Sequence, residues 1–222
     1  MKLRNPLICL AALSLMPACA HDPMPPMHRG EGMHHRFDDP AVWAPRFDDP
    51  GRDAWQKPDE VIKALGLRED AKVADLGAAT GYFAVRFARA LPKGKVFGVD
   101  IEPEMVRYLD ERAKKEALPN LVGVLGGPAD PHLPEAVDLV LVVDTYHHLD
   151  DRPAYFRRLL DKLSPGGKVA IIDFRRGQPM GPPDAHKVPA EQVKEEMAAG
   201  GYRLDAEHAL LPNQHFLVFA RQ

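Results

Sequence analysis

Asp75-Leu76-Gly77-Ala78-Ala79-Thr80-Gly81 places a carboxylate and two glycines at the end of a short β-type run (Lys72 to Leu76). Asp100 closes a second such run (Lys95 to Val99), about twenty residues after the glycines, the spacing at which a carboxylate can accept both hydroxyls of a ribose. Glycines after a buried strand let the backbone approach a ligand and expose amides at a helix N-terminus. The turn lacks the full G-x-G-x-x-G of dinucleotide-binding folds and has Asp75 just before it. That carboxylate would repel a pyrophosphate but could pair with an ammonium or sulfonium. A Gly-rich turn alone is shared by many nucleotide folds; the paired acidic register is what narrows the chemistry to a nucleoside carrying positive charge.

A second cluster, Asp144-Thr145-Tyr146-His147-His148-Leu149-Asp150-Asp151, follows the most continuous apolar run of the chain. His147 and His148 are the candidates for a base there: a neutral imidazole can take a proton from an attacking oxygen or nitrogen. The competing reading has one of them fasten the loop to backbone or to an Asp. Trp55 and Gln56 could cover one end of such a site, and Arg46 or Arg52 could meet a ligand carboxylate, against the alternative of solvated surface. Arg175 and Arg176 read either as an attractor for an anionic substrate or as paired surface charge.

The elements that position these residues alternate strand and helix. A helix over 58–65 is stopped by Gly66; strands follow at 72–76, 95–99, 121–125, 137–143 and 168–174. Between them lie helices carrying Phe83, Phe87 and Leu91, then Met105, Val106 and Leu109, then one from Pro153 to Leu163 ended by Ser164-Pro165-Gly166-Gly167. A helix from Glu191 to Ala199 and strands at 202–209 and 215–221 complete the pattern. Val137 to Val143 is what a parallel strand covered on both faces requires. This alternation predicts an α/β, doubly wound, Rossmann-like sheet, with the ligand at the carboxyl ends of the strands beside the first one.

With those residues in place, the chain resembles the class I S-adenosylmethionine-dependent methyltransferases, in particular the ubiquinone/menaquinone methyltransferase-like branch. VADLGAATGYFAVRFA is similar to their first motif and FGVDIEPEMV to their acidic second; LGGPADPHLPEAVDLVLVVDTYHHLDD resembles the third and fourth, and LLDKLSPGGKVAIIDF the fifth. The likeness runs from about Trp55 to Arg221. It implies a seven-stranded, mostly parallel sheet with an antiparallel last strand, and S-adenosyl-L-methionine as methyl donor. By the same likeness Asp75, Gly77, Ala79 and Gly81 hold the methionine moiety, Asp100 and Ile101 the ribose side and Asp130 the adenine edge. Asp144 and Tyr146 line the methyl end with His147. Ala79 departs from the family, which has Gly there, and its methyl points where the ligand must approach.

The chain has 222 residues, 45% of them hydrophobic, enough for one self-sufficient core. Its 29 basic and 32 acidic residues give a net charge of −3, which argues against a nucleic-acid binder held by a basic face. Residues 1–18 read as a signal peptide: Lys2 and Arg4, then an apolar Leu7 to Met16, too short to span a bilayer. Ala18-Cys19-Ala20 fits ordinary cleavage, while Met16-Pro17-Ala18-Cys19 resembles a bacterial lipobox with Cys19 lipidated. Both cysteines, Cys9 and Cys19, lie in the first twenty residues, so a catalytic thiol and a zinc–thiolate site are excluded from the remainder.

Residues 19–35 read as a disordered tether containing four His and three Met in HDPMPPMHRGEGMHH, a composition suited to copper or simply to a polar linker. In 36–57, Arg36-Phe37-Asp38-Asp39-Pro40 recurs as Arg46-Phe47-Asp48-Asp49-Pro50, and Asp-Asp-Pro marks a helix start. A short helix from Pro40 to Arg46 presenting Trp43 and Phe47 is expected there, as a lid or as an arm packed on the core. Residues 58–222 form the expected methyltransferase domain.

The functional expectation is methyl transfer from S-adenosylmethionine to a small-molecule acceptor by direct in-line displacement. Its partners would be that acceptor, no nucleic acid, a membrane only through a lipid at Cys19, and at most a second copy in a simple homodimer. The alternative class is an exported, periplasmic, non-catalytic binding lipoprotein that keeps the fold while its Met/His tract takes metal. Its motive is compartmental, since S-adenosylmethionine is made in the cytosol.

Overall fold

The computed structural model describes residues 37–222; the expected signal segment (1–18) and the Met/His tether (19–35) lie outside the described residues. Seven strands form one sheet: β1 (Lys72–Leu76), β2 (Lys95–Asp100), β3 (Leu121–Leu125), β4 (Val137–Val143), β5 (Leu163–Phe174), β6 (Tyr202–His208) and β7 (Gln214–Arg221). Their order is β3-β2-β1-β4-β5-β7-β6. The first five are parallel neighbours, and β7 runs antiparallel to both β5 and β6. The seven-stranded, mostly parallel sheet expected from the sequence is therefore the one observed.

Two apolar layers cover it, as parallel strands require. Along β4 the side chains alternate: Leu139, Leu141 and Val143 join one core, Val140 and Val142 the other. The first core is closed by α3 (Pro58–Leu65), α4 (Tyr82–Ala90) and α5 (Pro103–Lys115) through Val61, Phe83, Phe87 and Leu109. The second is closed by α6 (Arg152–Leu159) and α7 (Ala190–Ala199) through Phe156, Leu159, Val193 and Met197.

The differences from the sequence expectation are local. The helix expected to reach Leu163 ends at Leu159 and passes through a 3-10 turn, Leu160–Lys162. Strand β5 starts at Leu163 rather than Lys168, because Leu163 already pairs with Val137 before an irregularity in register. The lead-in contains the expected α1 (Pro40–Phe47), capped by the Asp39 carboxylate on the Ala41 N–H at 2.9 Å. It also contains a helix the sequence did not announce, α2 (Arg52–Gln56), only five residues long and therefore below the reach of periodicity.

Sheet order fixes where chemistry can sit. The chain runs outward from β1 through β2 to β3, then returns to the other side of β1 with β4, so the strand order reverses between β1 and β4. The loops leaving these two strands touch. A Cβ on Gly77, which has φ +72°, would stand 2.3 Å from the Thr145 hydroxyl oxygen, so only glycine permits this approach.

Candidate active site

The first wall is the turn after β1. The Gly77 and Ala78 N–H groups both donate to the Val99 carbonyl on β2, at 2.8 and 2.9 Å, which folds the turn toward Asp100. Ala79 N–H then donates to Asp100 Oδ2 at 2.9 Å, and Glu102 N–H to Asp100 Oδ1 at 3.0 Å. A carboxylate has about four lone-pair positions, and these amides, with that of Ile101 close by, leave part of them for a ligand. Burial raises the Asp100 pKa, against the lowering effect of these amides. Ile101 beside it is 59% exposed, an apolar surface next to a hydrogen-bonding carboxylate. Asp75 is buried, and desolvation pushes its pKa up to about 7, despite the opposing charge of Arg52 and the Ala84 amide.

Ala79 holds more strain than the sequence alone suggested. Its φ is +47°, in the left-handed region that favours glycine. The departure from the family pattern thus affects the backbone as well as the side chain.

The second wall is the turn after β4. Asp144 also has a left-handed φ, +54°, and its N–H donates to the Ile172 carbonyl at 2.9 Å. Its carboxylate accepts from Gln56 Nε2 at 3.0 Å and from Gln214 Nε2 at 2.5 Å, with Arg52 Nη2 3.6 Å away. Burial raises the Asp144 pKa to about 6; Arg52 opposes that rise and the nearby Asp173 adds to it. Gln56, fully buried, also donates to Gln214 Oε1 at 3.3 Å.

These bonds make the N-terminal segment a strap across the carboxyl ends of the strands. Arg52 stacks 4.0 Å from the Tyr82 ring centroid, donates to the Phe47 carbonyl at 2.8 Å and bonds Gln56. At one end Asp48 pairs with Arg112 of α5 at 2.9 Å, and Arg112 also donates to the Thr80 carbonyl at 2.8 Å. At the other, Trp55 packs on Phe174 with ring centroids 6.0 Å apart. Phe37, Trp43 and Phe47 form an aromatic cluster that reaches His148, whose centroid is 6.0 Å from that of Phe37.

The base candidates separate. His147 is 5% exposed, and its Nδ1 lies 2.9 and 3.0 Å from the two oxygens of Asp173, a fully buried carboxylate on β5. His148 is half-buried, its ring centroid 4.1 Å from that of His147 and tilted by 40°. Tyr146, expected at the methyl end, is corrected by the structure. The 3-10 turn Tyr146–His148 sends its ring to the opposite layer, stacked on Phe156, with its hydroxyl donating to Glu196 of α7 at 2.7 Å. Asp130 sits in the loop beside Asp100, where Gly126 N–H donates to the Asp100 carbonyl at 2.9 Å, and its Oδ1 accepts the His132 N–H at 2.8 Å. Arg176 donates to the Lys187 carbonyl at 3.0 Å.

The structure thus gathers Asp75, Gly77, Ala79, Gly81, Asp100, Ile101, Asp144 and His147 along one sheet edge and turns Tyr146 away from it. Sequence reasoning missed Asp173 and Gln214. A signal existed for Asp173, a carboxylate inside the apolar run Ile171-Ile172-Asp173-Phe174, since a buried charge must be paired. Nothing marked Gln214.

Comparison with known proteins bears on the fold that carries these residues. Residues 73–167 match the family described as "Methyltransferase domain". A SAM-dependent methyltransferase from Aquifex aeolicus superimposes with a TM-score of 0.75 at 25% identity, covering 82% of this chain and 97% of that one. Phosphoethanolamine N-methyltransferase 1 of Arabidopsis thaliana is 29% identical over 150 residues, 65% of this chain and 28% of that protein. A ubiquinone/menaquinone biosynthesis C-methyltransferase of Pasteurella multocida is 27% identical over 118 residues, 52% of this chain and 44% of its own length. The chain spans less than half the length of these two curated relatives. The fold is that of the S-adenosylmethionine-dependent methyltransferases, and S-adenosylmethionine is the cofactor that goes with it.

Proposed function

We propose that this chain, built on the methyltransferase fold, binds S-adenosylmethionine at the β1–β4 edge and transfers its methyl group to a small molecule by direct in-line displacement. The observation that carries this reading is the set of carboxylates at that edge. Asp100 keeps free acceptor positions beside the exposed apolar Ile101, fitting a ribose diol and the face of a base. Asp75 and Asp144, both held in low-dielectric surroundings at raised pKa, fit a ligand bearing ammonium and sulfonium charge.

When bound, S-adenosylmethionine supplies an electrophilic methyl whose bonding pair stays on sulfur as it leaves. The chain does the rest. Asp100 orients the nucleoside, Asp75 and the Gly77–Gly81 turn hold the amino-acid end, and Arg52 is placed to meet its carboxylate. The strap, with Gln56 fastened to Asp144 and Gln214, keeps water from the reacting end and fixes the line of approach. The balanced charge and the expected export signal extend the proposal to an exported enzyme with a small acceptor, tethered through residues 19–35.

Isothermal titration calorimetry of the full chain with S-adenosylhomocysteine tests this. The expected result is saturable binding with a micromolar Kd that weakens at least tenfold in Asp100→Ala. No heat of binding at millimolar ligand refutes it. Copper uptake by the tether without nucleoside binding would instead support the non-catalytic lipoprotein reading.

A further inference from the structure

Resting on the methyltransferase reading above, we infer that His147 is the proton acceptor of the site and Asp173 its positioning residue, so the methyl acceptor arrives as a neutral O–H or N–H nucleophile. Asp173 is fully buried within β5, where an apolar residue would be cheaper. It accepts the Nδ1–H of His147, the His147 backbone N–H at 3.1 Å and the Phe174 N–H at 2.8 Å. Commitment of Nδ1 to a carboxylate fixes the tautomer and makes Nε2 the basic nitrogen. The hydrogen bonds of the ring among the described residues are those of Nδ1, and His147 lies near enough to Asp144 for the charge of each to act on the other.

A tie that merely fastened the 3-10 turn would need only the backbone N–H, which Asp173 already accepts. The second bond, to a titratable ring, adds an oriented base. A nucleophile ionised before it binds would make such a base superfluous.

The charges around the ring set its working range. Burial pulls the His147 pKa down, but the Asp173 hydrogen bond and charge, with the Asp144 charge, more than reverse this and raise it; Arg152 of α6 opposes them. His215, opposite Asp173 on β7, is depressed by burial and so leans neutral. His148 packs against the ring, tilted, from the following position. The basic form of His147 therefore accumulates above the ordinary imidazole range near 6.5.

In the step itself, the proton moves from the acceptor oxygen or nitrogen to Nε2. The pair it leaves forms the bond to the methyl carbon, the C–S pair stays on sulfur, and the imidazolium releases its proton to solvent.

Two measurements on the full chain test the inference. Ring 15N NMR of the wild type should show His147 with Nδ1–H and an unprotonated Nε2 above its raised pKa, and Asp173→Asn should move its titration to lower pH. A ring that titrates below 6.5 or holds the other tautomer overturns the proposal. Release of S-adenosylhomocysteine is then followed with a panel of phenol, aliphatic alcohols, primary amines, a tertiary amine and iodide. Turnover should require an acceptor with a removable proton, and its rate should rise with pH along a limb above 6.5. His147→Gln should remove that limb with about a hundredfold loss. Asp173→Asn should shift it down with a smaller loss, and Asp173→Glu should partly restore it. Calorimetric affinity for S-adenosylhomocysteine should stay within threefold in all three variants.

Turnover only with iodide or the tertiary amine, variants within twofold of wild type, or no turnover with any member while S-adenosylhomocysteine binds, each overturns the inference and leaves nucleoside binding standing. Loss of that binding in the wild type brings down the reading beneath it as well.

Discussion

Replacing Ala79 by glycine should stabilise the protein and tighten nucleoside binding together. Ala79 occupies φ +47°, where an L-residue loses about 1–2 kcal/mol to contact between Cβ and its own carbonyl. Glycine removes that cost but gives the unfolded chain more freedom, worth about 0.4–1 kcal/mol in the opposite direction. The difference is a gain on the order of 0.5–1 kcal/mol, which for a domain of this size is a rise in Tm of roughly 1–4 °C. The Ala79 N–H already donates to Asp100 at 2.9 Å, so the substitution leaves that bond in place while clearing a methyl from the ligand's approach. Differential scanning calorimetry of the free protein and calorimetric titration with S-adenosylhomocysteine read the two effects. A lower Tm in Ala79→Gly would refute the strain argument, and a weaker Kd would refute the placement of the turn against the ligand.

Further consequences follow from the buried polar groups. Asp75, near 7, and Asp144, near 6, keep protons in the folded state that an ordinary carboxyl at 3.8 releases. The folded chain thus binds more protons than the unfolded one between about pH 4 and 7, so these two groups make stability fall as pH rises through that window. Urea denaturation at pH 5 and pH 8 should show a smaller drop in Asp75→Asn than in wild type; an unchanged drop would show that Asp75 is not the source. Gln56→Leu removes a donor from Asp144 and strands the Gln214 carbonyl oxygen, and should cost about 1–3 kcal/mol by chemical denaturation. An effect under 0.5 kcal/mol would show that the strap does not depend on that bond. Arg112→Met cuts the tie between Asp48 and the Thr80 carbonyl, and should speed hydrogen exchange in 40–56 while β1 and β4 stay protected; an unchanged exchange rate in 40–56 would show that the tie does not hold the strap.

The elements that build the sheet were legible because their patterns are strong. Val137 to Val143 could only be a strand covered on both faces, and Asp100 lay at the expected distance from the glycines. Both signals are local in sequence, and the sheet order then brings them together. What escaped reading depends on pairs distant in the chain. Gln56 and Gln214 are 158 residues apart and meet only because the strap crosses β7. Tyr146 lies two residues from Asp144, and sequence proximity placed it in the cleft; one turn of 3-10 helix carries it to the α6–α7 layer instead. Of the neighbouring histidines, only the position of Asp173 decides which is tied, and that carboxylate lies 26 residues further along the chain. Ala79 shows the same limit within a motif: its identity was visible, its left-handed backbone was not.

A crystal structure of the chain grown with S-adenosylhomocysteine would show where the nucleoside sits. Both ribose hydroxyls are expected on the Asp100 carboxylate, the adenine against Ile101 and the sulfur directed toward Asp144 and His147. A nucleoside bound at another edge of the sheet, or a β1–β4 cleft left empty at saturating ligand, would contradict this placement.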